Sequence, residues 1–425
     1  MTVPPPRLLL VVQQHSAARF IMADIATAFA AAGFPTLSID FCPLLREPDD
    51  AARTALLAAA QAQITAFAPE LLIAYGMEAF APLPGTGDLF SRLDLPTVSL
   101  FFDFYDWDAA RLRTHPRYER MTGPDCWYCC WDRVALAQLP GDGFHAVSYL
   151  PLAVNPAVFH CTAPVGAGRE HPLSFVGIAT PDRVRQLEPL APLGLEIYGP
   201  GSDLWRQNAA LCGRYHGAQN DRSEVNRYYN RSYMTVNITQ THGRDSLNMR
   251  VFEALSAGCL LLTDDQPVLA EHFRPGGELV VHHGDDLPAL VRYFLDHPDA
   301  GAAIARRGCA AVRARHTYAQ RVRELAAQLP AFLRWRTAYR DARQELERGA
   351  WPAAWTKLRV LDEGGEPFPW PEHLLFYCGV AAWQTGDRIA GERYFARLAA
   401  VNPASVLLAK ISRSTSGNAV LPAGG

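Results

Sequence analysis

A helix that stops at a glycine and turns at once into an unbroken apolar run restricts what this chain can become more than any other stretch. Residues 248–265 read Asn-Met-Arg-Val-Phe-Glu-Ala-Leu-Ser-Ala-Gly-Cys-Leu-Leu-Leu-Thr-Asp-Asp. Gly258 stands just past the last helical turn, the usual place for a glycine stop. Cys259–Leu262 shows no polar alternation, as expected of a strand covered on both faces of a parallel sheet. Asn248, Arg250 and Glu253 lie near the helix start, an odd load for a core element. The amino end of a helix attracts phosphate through free N–H groups and the macrodipole, and Arg250 adds a forked cation. Glu253 is roughly 7–8 Å further along the axis than Asn248. That offset suits a carboxylate holding ribose hydroxyls while the helix start holds a diphosphate. The competing reading is an amphipathic helix with a solvated Arg–Glu pair three apart.

The same alternation runs through the chain. Residues 7–12, 36–39, 71–74 and 96–102 read as strands, with helices over 17–32, stopped by Gly33, and over 51–68. Strands alternating with helices indicate a doubly wound parallel sheet. Residues 146–150 close a first domain, 1–160, and Pro156, Pro164, Pro172, Gly166 and Gly168 mark a linker. A second domain, 170–335, has strands at 173–177, 195–198, 234–238 and 278–282. The expected fold class is α/β, two Rossmann-like domains facing a cleft, with ligands at the carboxyl ends of the strands. Helix pairs then recur about Gly349 and Gly386. In the second pair Gly379, Gly386, Phe395 and Pro403 fall on the small, turn, aromatic and closing-proline positions of a tetratricopeptide repeat. Residues 336–411 are therefore expected to form such repeats, two being too few to stand alone. Residues 412–425 are expected to be a disordered tail.

The segment Asp245–Glu253 resembles the donor-binding helix of GT-B glycosyltransferases, and in detail the CgeB, spore-maturation type within the group 1 glycosyltransferases. The Glu-x7-Glu of that group stands here as Asp-x7-Glu, so Asp245 departs from the pattern while Glu253 matches it. Tyr149–Phe159 resembles the hinge of that type, and His316-Thr-Tyr318 the start of its closing helix. The resemblance implies a nucleotide-diphosphate sugar as donor substrate, with Glu253 on the ribose. It implies phosphate contacts from the helix start at Asn248, from Arg250, and from Arg183 after the strand that ends in Gly177. Base recognition is expected from Tyr198-Gly199 and His216-Gly217. An inverting enzyme would use a carboxylate or histidine of the first domain as base; Asp103 and His15, at strand ends, are the candidates. A retaining one would need no protein base. The aromatic loop 101–108 is either an acceptor surface or a core lid. No cofactor beyond the donor and no metal is expected, Asp264-Asp265 reading as a cap or a hydroxyl acceptor. A protein acceptor or partner is expected to dock on the repeats.

Bulk properties narrow the alternatives. A net charge of −3 gives no electrostatic reason to expect nucleic acid as partner. No apolar run approaches the ~18 residues that span a bilayer, and the start lacks the pattern of a signal peptide, which points to the cytoplasm. Nine irregularly spaced cysteines argue against a disulfide framework. Cys126-Trp-Tyr-Cys129-Cys130 reads as a buried strand, with a redox or metal role as the rival. The only lysines are Lys357 and Lys410, which disfavours a phosphorylase built on a cofactor lysine. A GT-B-shaped sugar-nucleotide epimerase and a non-catalytic scaffold are the remaining rivals.

Overall fold

The structure, a computed structural model, describes residues 4–12, 16–75, 95–101, 125–139, 144, 146–166, 168–218, 221–240, 244–363, 371–401, 405 and 407–408. The chain groups into two compact units. One comprises Met1–Cys130, Val134–Leu150 and Arg323–Gly425, the other Trp131–Arg133 and Pro151–Val322. The boundary expected at 335 thus falls inside a single helix, Tyr318–Glu347, and the helices after it group with the first unit. The tail 412–425 lies outside the described residues.

In the first unit β1 (Leu8–Val12), β2 (Thr36–Asp40), β3 (Leu71–Tyr75), β4 (Thr97–Phe101), β5 (Cys126–Cys130) and β6 (Val147–Tyr149) form one sheet in the order β2-β1-β3-β4-β5-β6. Every pairing is parallel. β1, β3 and β5 are buried at every position, which is why their sequences are apolar without alternation. Cys126, Cys129 and Cys130 are buried in β5, and burial pushes the Cys129 thiol well above its usual range. Trp127, among them, donates Nε1–H to Ser148 Oγ at 2.9 Å and packs on Phe332. The strand reading of this segment is the one the structure shows.

Among the carboxyl-terminal helices, Trp351–Glu363, Pro371–Gln384 and Arg388–Val401 pack in succession. Gly379 permits the last contact: a Cβ there would come within 2.3 Å of the Phe395 ring. Asp362 ties the helices together, accepting from Tyr394 Oη at 2.9 Å and from the Arg397 fork at 2.7 and 2.9 Å.

The second unit has β7 (His171–Val176), β8 (Leu195–Tyr198), β9 (Ser232–Asn237), β10 (Leu260–Asp264) and β11 (Val280–His282), all parallel, in the order β11-β10-β9-β7-β8. Strand order reverses between β7 and β9, and open α/β sheets bind ligands outside the carboxyl ends of the strands at such a switch. The helix–glycine–strand unit folds as its sequence requires. The helix Met249–Ser256 ends with Gly258 at φ +77°, Gly258 N–H donating to Leu255 O and Cys259 N–H to Ala254 O. This pair of bonds satisfies the last carbonyls and hands the chain to β10.

Candidate functional site

Asn248 caps the helix Met249–Ser256. Its backbone is extended, and its Oδ1 accepts the Arg250 N–H at 3.0 Å. Its Nδ2 donates to Asn237 Oδ1 at 3.0 Å, and Asn237 donates in turn to Thr263 Oγ1. The cap is therefore anchored on the ends of β9 and β10, and one of the helix's amino-terminal N–H groups is already taken by it. One turn on, Arg250 Nη1 donates to Glu253 Oε2 at 2.6 Å. Glu253 is only 4% exposed. The pair three apart exists, but its carboxylate is buried, which sets it apart from a solvated helix-surface pair. Burial by itself would lower the Arg250 pKa, but Glu253 and Tyr229 together outweigh it and raise it. Arg250 is thus held as a cation.

Asp245 is used on three sides. Its N–H donates to Asp132 Oδ2 at 3.0 Å, its carbonyl accepts from Arg133 N, and its Oδ1 accepts from Val268 N at 2.7 Å. The shorter acid that departs from the Glu-x7-Glu pattern thus ties its own turn to the segment after β10.

Arg183 sits on the helix Pro181–Leu187, capped by Thr180. It is 7% exposed, and its guanidinium donates to Ile238 O at 3.0 Å from Nε, with Nη2 on the same carbonyl, and to Ile178 O at 3.1 Å. Burial lowers its pKa to about 10, with Asp264 working to raise it and Arg250 to lower it. The two arginines expected on phosphate therefore share one electrostatic neighbourhood with Asp264, though Arg183 spends much of its donor capacity on carbonyls.

Tyr198-Gly199 and His216-Gly217 are also brought together. Gly177 N donates to Tyr198 O and Gly199 N to Gly217 O, each at 2.9 Å. The Tyr198 ring is stacked between Tyr228, at 3.6 Å between centroids, and His216, at 5.0 Å. Burial raises the Tyr198 pKa to about 12. His216 pairs with Glu196 and is 45% exposed at its side chain, so it presents an outer ring face whereas Tyr198 does not. His15, Asp103 and the loop from 102 to 108 lie outside the described residues.

A cavity of about 700 Å³ opens at the ends of β9, β10 and β11, with Ile238, Thr239, Asp264, Asp265, His282 and Arg185 in its wall; Asn248, Arg250, Glu253, Tyr198 and His216 do not line it. Asp264 accepts the N–H and hydroxyl of Thr239, both at 3.0 Å, so it fastens the segment after β9 and does not cap a helix. No group of three or more His, Cys, Asp or Glu side chains placed to hold a metal occurs among the described residues.

Three residues that carry this framework have no local sequence signal, since most of their partners are remote in the chain. Asp132 holds the 244–245 turn. Arg169 is buried and donates to five carbonyls, those of Pro164, Ala163, Tyr229, Ser232 and Ala257, which locks the starts of β9 and β10. Arg321 donates to Pro151 O at 3.0 Å, to Leu152 O at 3.4 Å and to His316 Nδ1 at 2.9 Å. His316 Nε2–H then donates to His272 O at 3.1 Å. Burial, reinforced by Arg321, lowers the His316 pKa from 6.5 to about 3. The unfolded chain protonates this imidazole near pH 6.5 and the folded one only near 3. Stability is therefore complete above pH 6.5 and is lost as pH falls through that window, by at most ~1.4 kcal/mol per pH unit from this group. Urea unfolding between pH 7 and 4 should show this slope, reduced in His316→Gln.

The two parallel α/β units define the GT-B class of fold. Residues 183–327 match the family model described as glycosyl transferase-like. No curated protein matches the chain. Sucrose-phosphate synthase from Thermosynechococcus elongatus superposes with a TM-score of 0.55 at 14% identity, over 77% of this chain and 99% of its own. HepE of Anabaena, solved with UDP-glucose, gives 0.55 at 12% identity over 77% and 100%. A glycosyltransferase from Rickettsia africae gives 0.52 at 10% identity over 78% and 99%. Among the described residues no helix is long and apolar enough to cross a membrane.

Proposed function

We propose that the chain is a group 1 glycosyltransferase, of the CgeB-like type, that moves a hexosyl group from a nucleotide-diphosphate sugar to an acceptor in the cytoplasm without a metal ion. The observation that carries this reading is the buried Arg250–Glu253 pair behind the Asn248 cap, at the carboxyl ends of β9 and β10. It lies within the segment similar to glycosyl transferase-like domains. In this reading Arg250, with Arg183 beside it, offsets the charge that builds on the departing diphosphate. Preorganised donors of that kind contribute about 3 kcal/mol each to the transition state. Glu253 accepts from the ribose hydroxyls, and His216 offers its exposed face to the base. That HepE was solved with UDP-glucose supports a uridine donor. The carboxyl-terminal helices, read as tetratricopeptide-like, dock the acceptor, a protein or a surface polymer. Asp103 and His15 are the candidates for the base that deprotonates it.

Calorimetry with UDP-, GDP-, ADP- and dTDP-sugars, in EDTA and then with added magnesium, tests the reading. Micromolar uptake of one donor in EDTA is expected; no uptake of any would end it. The scaffold reading draws on the internal use of Arg183 and Asn248, whose polar groups are already bonded within the unit. Binding without turnover, with any acceptor retained by the carboxyl-terminal helices, would favour it.

A further inference from the structure

Trp131–Arg133 directly follow β5 in sequence yet group with the second unit. Asp132, in the middle, is 0% exposed. Its Oδ2 accepts two backbone N–H groups, from Arg244 at 2.8 Å and from Asp245 at 3.0 Å. The next residue completes the grip, Arg133 N donating to Asp245 O at 3.0 Å while its guanidinium pairs with Glu271. Asp245 is held in turn to Val268 N through its own carboxylate. Both backbone polar groups of Asp245 and its side chain are thereby fixed, three residues before the Asn248 cap.

We propose that Asp132 is a positioning residue for the donor: it sets the backbone of 244–248 and through it the places of Asn248, Arg250 and Glu253. The inference rests on the donor-site reading given above. A carboxylate accepting two backbone N–H bonds out of water makes charge-assisted bonds, stronger and shorter than neutral ones, and here it does so on a turn with no regular structure of its own. Groups that grip a reacting ligand must be placed closely, since a misplacement of about 1 Å can cost about a hundredfold in rate. Asp132 acts through the turn, by holding the amides of 244 and 245.

The test uses the full chain as wild type, Asp132→Ala and Asp132→Asn. Hydrogen exchange is followed in peptides spanning 244–253 and, as controls, β7 and β8. Calorimetry is done with UDP, GDP and ADP. Asp132→Ala should raise exchange at 244 and 245 by about tenfold with the controls unchanged, because those amides lose their acceptor. It should weaken the preferred diphosphate by about tenfold or more. Asp132→Asn keeps an oxygen in place and should recover most of both losses. Unchanged exchange at 244–245 in Asp132→Ala overturns the inference. So does a rise spread evenly over the controls, which would make Asp132 a general support of the fold. If Asp132→Ala does not fold, Asp132→Asn decides by the same peptides, about threefold faster exchange supporting the inference and no change overturning it. If wild type takes up no diphosphate, the donor reading falls while the exchange arm still judges whether Asp132 holds the turn.

Discussion

Glu253→Gln is expected to lower kcat/KM for sugar transfer by about a hundredfold while the protein stays folded. A carboxylate that accepts from two ribose hydroxyls makes charge-assisted bonds of about 1.5–3 kcal/mol, and ~1.4 kcal/mol is a factor of ten. Glutamine keeps the volume and one acceptor oxygen, so Arg250 retains a partner. Glu253→Ala is the poorer variant. It would leave the Arg250 guanidinium without its 2.6 Å partner, and breaking a buried pair from one side costs about 3 kcal/mol or more; the half-buried position of Arg250 places this case at the low end. Activity lost in Glu253→Ala would therefore mix unfolding with chemistry. Steady-state rates for Glu253→Gln, with urea unfolding of both variants, separate the two. Wild-type turnover in Glu253→Gln would retire the ribose assignment.

Gly199→Ala should prevent the second unit from folding. Gly199 has φ +137°, and a Cβ would stand 2.1 Å from Gly177 O, a backbone atom that cannot step aside. The two loops are already joined by Gly177 N to Tyr198 O and Gly199 N to Gly217 O. Relieving the clash means breaking those bonds, and left-handed strain adds to it, so a loss of about 4 kcal/mol or more is expected. Gly217→Ala is the control. It has φ +99° but open space around the added carbon, so it meets backbone strain alone, about 1–2 kcal/mol. Equal unfolding midpoints for the two variants would show that the close approach of the loops is not what requires glycine at 199.

The sheets and most helix limits were legible because each rests on a local pattern. β1, β3 and β5 are apolar throughout because both faces are covered; Gly33 and Gly258 mark helix ends because both adopt positive φ. The polar load of Asn248, Arg250 and Glu253 was visible too, since it breaks the helix pattern. What those side chains bond to was not. Nothing near Arg183 in sequence announces Ile238 O, and nothing near Asp132 announces the amides of 244 and 245, because the sheet brings those partners together only after it has formed. The domain limit expected at 335 lies within one helix, Tyr318–Glu347, which local pattern does not reveal. The packing of Trp127 on Phe332, which draws the later helices to the first sheet, leaves no trace in either neighbourhood.

The division of the chain has a consequence for biosynthesis. The unit spanning 151–322 is inserted within the other one. As the polypeptide leaves the ribosome, this insert has nearly all of its partners in hand and can close first. The amino-terminal sheet must wait with Trp127 uncovered until Phe332 has been translated. A nascent chain stalled between those two points would be the species on which a chaperone acts.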